Sequence, residues 1–274
     1  MRAFVIMKAH PCERGVRHAM RTGKASAKRI KPRRRRRARW LLLATLLAIA
    51  LYAGREAIGV RILTAAGYPQ SLAEKLMRYP ETASYVLGYP ARSLEHGDRI
   101  DLSGELIPGE IPLFLQWDAR WGYEMYGNDF MGVNACGPAC LSMVCCGLSG
   151  EGYWNPREVA RMAEESGYYV AGVGSSWELM EEGARKLGLR VRDVEMREEQ
   201  ILKALRAGWP VICSVRPGDF TTAGHFIVLA RADAQGNITV RDPNSRVNSE
   251  KTWRVERLIP QIKKAWAYAL NAKA

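Results

Sequence analysis

The segment HFIVLARADAQGNITVRD, residues 225–242, constrains this chain more than any other. Apolar and β-branched residues flank a Gly/Asn-bearing stretch, which predicts two antiparallel strands around a turn at Ala234 to Asn237. WPVICSVR, just upstream, reads as another strand. Before it the period is helical. LSMVCCGL continues a helix out of CGPAC, with Gly147 near its end. PREVARMAEESG follows Asn155-Pro156, with Pro at its start and Gly167 past its end. SSWELMEEGARKLGL, capped by Ser175 or Ser176, and EEQILKALRAG complete the set. Helices first and antiparallel strands after predict an α+β domain over residues 111–274, its N-terminal helices packed on an antiparallel sheet.

The hairpin has a chemical consequence. The start of its first strand lies beside the end of its second, so His225 and Asp242 become neighbours, with Asn244 competing for the same place. A carboxylate beside an imidazole fixes its tautomer and supports the imidazolium. Alone, a histidine at a strand start has a structural role, and Asp242-Pro243-Asn244-Ser245 is a turn. Their conjunction with a helix-capping cysteine is what gives them weight.

That cysteine lies in VNACGPACLSMVCC, residues 133–146. The paired C-x-x-C spacing of structural zinc is missing, and His225 is the one histidine after residue 96, so no metal is expected. Cysteines on one short helix do not reach disulfide geometry with each other, which leaves at most one bridge, to Cys213. A thiol oxidoreductase would need a C-x-x-C pair. Cys140, Cys145 and Cys146 read as small buried hydrophobes. Cys136 differs: Pro138 suits the first turn of a helix, which puts Cys136 at the helix N-terminus, where the dipole and free N–H groups favour a thiolate.

LFLQWDARWGYEMYG (113–127), NACGPACLSMV (134–144), GDFTTAGHFIVL (218–229) and VRDPNS (240–245) together resemble the bacterial papain-like cysteine peptidases of the C39-like type, akin to double-glycine leader peptidases. The resemblance spans about residues 110 to 270. It implies a papain-like cysteine peptidase fold with Cys136 as nucleophile, His225 as general base and acid, and Asp242 as orienting residue. It also implies an upstream glutamine assisting the oxyanion, matched by Gln116, with Asn134 as substitute. Trp117 and Trp121, with Asp118, Arg120 and Tyr123, stand beside Gln116 as a candidate substrate wall or as packed core. The activity implied is hydrolysis of a peptide or other amide with no cofactor. The rival is a non-catalytic module of the same fold that grips peptide or cell-wall polymer.

Charge places the rest of the chain. Residues 1–40 hold 15 of its 41 Lys and Arg against one of its 28 acids, so the +13 net charge resides there. Residues 1–39 read as a basic cytoplasmic tail, and the uncharged run Trp40 to Gly54 follows directly. A basic block abutting an apolar run is the positive-inside arrangement, which argues against nucleic-acid binding by Arg33 to Arg37. Residues 40–60 are thus expected to be a single transmembrane signal-anchor, or a signal peptide cut after Ala50. Either places the C-terminal domain outside the cytoplasm, in the first case as a single-pass protein of the cell membrane. Residues 61–110, broken at Pro69, Pro80 and Pro90, read as a stalk.

Overall fold

The computed structural model describes residues 32–92 and 100–271. The chain divides into residues 1–53 and a compact unit, 54–274. Helix α1 (Pro32–Ala65) contains the apolar run. Among the described residues no helix is long and apolar enough to cross a membrane. Its uncharged stretch is bounded by Arg39 on one side and Arg55 and Glu56 on the other, short of the roughly 20 apolar residues that span a bilayer. The expected anchor at 40–60 is therefore not shown, and residues 1–31 of the basic tail lie outside the described residues.

Six strands form one antiparallel sheet: β1 (Leu189–Asp193), β2 (Val211–Val215), β3 (His225–Ala232), β4 (Asn237–Arg241), β5 (Thr252–Arg254) and β6 (Ile262–Leu270). Their order is β1-β6-β2-β3-β4-β5. The side-chain period of two divides the apolar residues between two cores. Ile212, Phe226, Val228, Trp266 and Tyr268 face one core, shared with helices α4 (Cys136–Ser149) and α5 (Pro156–Glu165). Val211, Cys213, Val215, Ile227 and Leu229 face the other, shared with Ile201, Leu202 and Leu205 of α6 (Glu198–Arg206). The α+β class, the hairpin and three of the four expected helices are present.

The end signals act as their chemistry predicts. Asn155 accepts from the N–H groups of Arg157 and Glu158 and starts α5. Gly150 and Gly167, at φ 74° each, end α4 and follow α5 in the left-handed conformation. The fourth helix differs: Ser175 lies in a short strand, and Leu179–Gly183 forms a wide π-helical turn before Ala184–Lys186. The Tyr268 hydroxyl donates to Met180 O at 2.9 Å, and Glu181 accepts from Lys264 Nζ and Trp266 Nε1. These ties to β6 compete with regular helical pairing and widen the turn.

The stalk is the largest correction. Residues 70–92 pack on the domain as α2 (Gln70–Arg78), a short turn at Pro80–Thr82 and α3 (Ala83–Arg92). Leu72, Tyr85 and Val86 form a third core with Leu115 and Trp117. Tyr85 donates to Gly122 O at 2.6 Å and stacks on Tyr123, ring centroids 4.6 Å apart. The helical spacing of Leu72, Leu76 and Tyr79 marks a packed face; Pro69 and Pro80 stand at the starts of α2 and of the short turn, and Pro90 lies inside α3, so none of them marks an extended spacer.

Candidate active site

Cys136 is the first residue of α4, entered through Ala135 at φ −95°, ψ 32°, with no side chain capping the helix. Gly137 lets this end lie against Ser175: a Cβ there would sit 2.6 Å from Ser175 Oγ. The hairpin supplies the partner. Pairing between β3 and β4 ends at Val228–Arg241, which leaves Asp242 just past the strand end and His225 three residues before Val228. Their side chains close the distance, His225 Nε2 lying 2.8 Å from Asp242 Oδ1. With Nε2 held there, Nδ1 is the ring atom left for the hydrogen bond to Cys136.

Asp242 is 0% exposed and His225 8%. Asp242 Oδ1 also accepts the Asn244 N–H at 2.9 Å, and Oδ2 accepts from Asn248 Nδ2 at 3.0 Å. Its own N–H donates to Ser249 Oγ at 2.9 Å. The carboxylate is thus fixed by three donors, which compensate its burial. Burial alone would push the His225 pKa down, but the Asp242 charge and hydrogen bond, with Cys136, hold it well above its ordinary value. Burial would likewise raise the Cys136 thiol. The His225 hydrogen bond and charge, with the Phe226 and Gly137 N–H groups, hold it below an ordinary thiol. Burial pushes Cys140 and Cys213 up, and Cys145 and Cys146 to about 12 and about 11. All five described cysteines are free thiols.

Asn244, the alternative third member, faces elsewhere. Its Oδ1 accepts from Lys75 Nζ at 2.5 Å and its carbonyl from Trp117 Nε1 at 3.0 Å. Gln116 reaches the same cavity, but its Nε2 donates to Gly132 O at 3.0 Å and Val133 O at 2.9 Å. Both amide protons are engaged, while Oε1 is buried without a partner among the described residues. The Gln116 N–H donates to Pro243 O at 2.7 Å, joining this segment to the Asp242 loop. Asn134 lines the cavity with its amide only loosely held, 3.4 Å from Tyr126 O.

The substrate wall is corrected. Trp121 is fully buried against Phe114, its Nε1 on Leu115 O. Trp117 is buried in the third core behind Asn244. Asp118 and Arg120 pair with each other, and Tyr123 stacks on Tyr85. None of the five lines the cavity of about 650 Å³ that opens onto Cys136, His225, Gln116, Asn134 and Asn244. Its other wall comes from α2, where Ser71, Lys75 and Arg78 share one face. Sequence reading missed these residues, because a polar i, i+4, i+7 row beside an apolar one is also the pattern of any solvated helix face. No three His, Cys, Asp or Glu side chains gather as a metal site among the described residues.

No curated protein matches the chain. Among solved structures, the peptidase domain of Streptococcus ComA, a bi-functional ABC transporter involved in a quorum-sensing pathway, is similar at 20% identity and TM-score 0.40, over 50% of this chain and 93% of that one. A C39-like peptidase structure from Bacillus anthracis is similar at 16% identity and TM-score 0.41, over 61% of this chain and 98% of that one. The model of the Peptidase_C39 like family matches residues 109–273, more than half of the sequence. The chain belongs to the peptidase C39-like family.

Proposed function

We propose that this protein is a thiol hydrolase that cleaves an amide bond through Cys136, His225 and Asp242. The observation that carries the reading is the contrast among its thiols. Of five described cysteines, Cys136 alone is held below the ordinary thiol value, at a helix N-terminus and beside a histidine held by a buried carboxylate. A structural cysteine gains nothing from such surroundings, whereas a nucleophile needs them.

The Cys136 thiolate attacks the amide carbonyl carbon, forming a C–S bond as the C=O electrons move to oxygen. The Cys136 N–H and an amide side chain hold that oxyanion. Asn134 suits this role better than Gln116, whose amide protons already serve Gly132 and Val133. The His225 imidazolium gives its proton to the leaving nitrogen as the C–N bond breaks. His225 then takes a proton from water, which attacks the thioester and releases the acid and the thiolate.

Placement outside the cytoplasm, with residues 40–60 as membrane anchor, rests on the Arg33 to Arg37 block preceding Trp40 to Gly54. The test of the enzymatic reading is mass-mapped labelling by iodoacetamide across pH, with hydrolysis by Cys136→Ser alongside. One fast thiol at Cys136 and loss of hydrolysis in the variant are expected. Labelling spread evenly over the cysteines, or a Cys136→Ser enzyme within tenfold of the parent, would contradict it.

A further inference from the structure

Lys75 is a feature of the cavity that the mechanism leaves unused. It sits on α2, upstream of residues 109–273 that define the family, and is only 7% exposed. Its ammonium has one hydrogen-bond acceptor among the described residues, Asn244 Oδ1, and stands 5.4 Å from the centroid of the Tyr79 ring. An ammonium carries three donors, so two stay open, in the cavity shared with Cys136 and His225.

The carboxylates nearest in charge are occupied elsewhere. Asp242 serves His225 and Asn248. Glu81 accepts from Ser245 Oγ and from the Arg246 and Val247 N–H groups. Asp129 accepts from Ser71. None forms an ion pair with Lys75, so among the described residues this cation is buried without a carboxylate in contact, an arrangement that is destabilising on its own. Arg78 and Lys263 line the same cavity from α2 and β6, adding positive potential at its mouth. Glu74, also lining it, accepts from Gln70 Nε2.

We propose that Lys75 receives a carboxylate of the substrate beside the scissile bond, so that this site selects acidic or carboxylate-terminated amides. The proposal rests on Cys136 being the nucleophile. It explains the open donors, the missing counter-ion and the choice of lysine where methionine would fill the space. It also makes α2 part of the active site.

The test compares alkylation of Cys136 by iodoacetate, an anion, with alkylation by iodoacetamide, its neutral counterpart. The ratio of the two rates cancels the thiolate fraction and reads local attraction for a carboxylate. Burial lowers the Lys75 pKa to about 7 against the opposing pull of Asp242, Cys136, Glu81 and Asp129. His225, held well above its ordinary value, stays protonated through this range, and Glu74, Arg78 and Lys263 are the other charged groups that face the cavity. The ratio should therefore fall as pH rises from about 6 to 8 and Lys75 discharges. In Lys75→Met it should be about tenfold lower at pH 6 and flat with pH. If that variant does not fold, Lys75→Arg should keep the ratio high at pH 8. Protection of Cys136 by acetyl-alanine points to a terminal carboxylate, and protection by capped glutamate amide to a side chain; either supports the proposal. A wild-type ratio flat with pH, or a Lys75→Met ratio within twofold of wild type at pH 6, overturns it. If Cys136 is no faster than the other thiols, the nucleophile reading itself falls, a result distinct from a fast Cys136 without anion preference.

Discussion

Asp242→Asn removes a charge while keeping a shape. An asparagine with its oxygen toward His225 and the Asn244 N–H preserves both of those bonds, now 2.8 and 2.9 Å. Its NH2 then meets Asn248 Nδ2, which donates to Oδ2 at 3.0 Å in the wild type, and the Asn248 amide must rotate to accept. The fold should survive. What is lost is the charge on a fully buried acceptor. A hydrogen bond to an ionised group contributes about 1.5–3 kcal/mol, against about 0.5–1.5 for a neutral one. The charge attraction at 4 Å adds up to about 4 kcal/mol at an effective dielectric near 20. A net loss of about 2–4 kcal/mol predicts turnover slower by roughly 30- to 1000-fold. The same loss should move the pH profile of Cys136 alkylation toward that of an ordinary thiol. The sign for stability follows from the raised His225 pKa. The pair contributes fully below about pH 6.5, the unfolded histidine value, and fades as pH climbs through the folded one. The Tm difference between wild type and Asp242→Asn should therefore be largest in mild acid. Asn244→Ala should be the milder variant in turnover and alkylation. The reverse order, Asn244→Ala crippling and Asp242→Asn mild, would refute the assignment of the third member.

Lys75→Met should stabilise the protein, because the folded pKa of about 7 lies below the unfolded 10.5. The penalty of burying the charge, on the order of 3–5 kcal/mol, is full below pH 7 and vanishes toward pH 10.5, so the Tm gain should shrink across that range; no gain at pH 6 would count against a buried ammonium. Trp121→Ala should lose about 3–5 kcal/mol in chemical denaturation, as a fully buried core residue, with kcat of the folded fraction little changed; a selective rise in KM would restore it to the substrate wall. Alkaline phosphatase fused after residue 110 should be active if the domain is exported, and an inactive fusion would sink that placement.

The site was legible where chemistry depends on local signals. Cys136 at a helix start follows from Pro138, and the His225–Asp242 contact follows from one hairpin turn. The oxyanion donors were harder, because Gln116 is placed by carbonyls at Gly132 and Val133 that no spacing rule encodes. The tryptophans beside it carry apolar bulk suited equally to a wall and a core, and burial decided for the core. The sheet was half visible: β1, β5 and β6 lack a tight turn to pair them, and the KKAWAYAL portion of β6 is rich in alanine. Helix α2 escaped for a different reason. Its contacts with Asp129 and Asn244 cross 58 and 169 residues, and long-range contacts leave no trace in a local pattern.

The sheet order fixes when this site can exist. Strand β6 follows every other strand in the chain, yet it lies between β1 and β2, pairing Trp266 with both Asp193 and Ile212. Until the ribosome has added residue 270, β1 has no neighbour and β2, the partner of the His225 strand, has a bare edge. Synthesis therefore passes Cys136, His225 and Asp242 well before the sheet that holds them can close. The order of the strands thus makes the active arrangement a property of the finished sheet: the thiol and its base are written early, and the strand that closes the scaffold beneath them comes last.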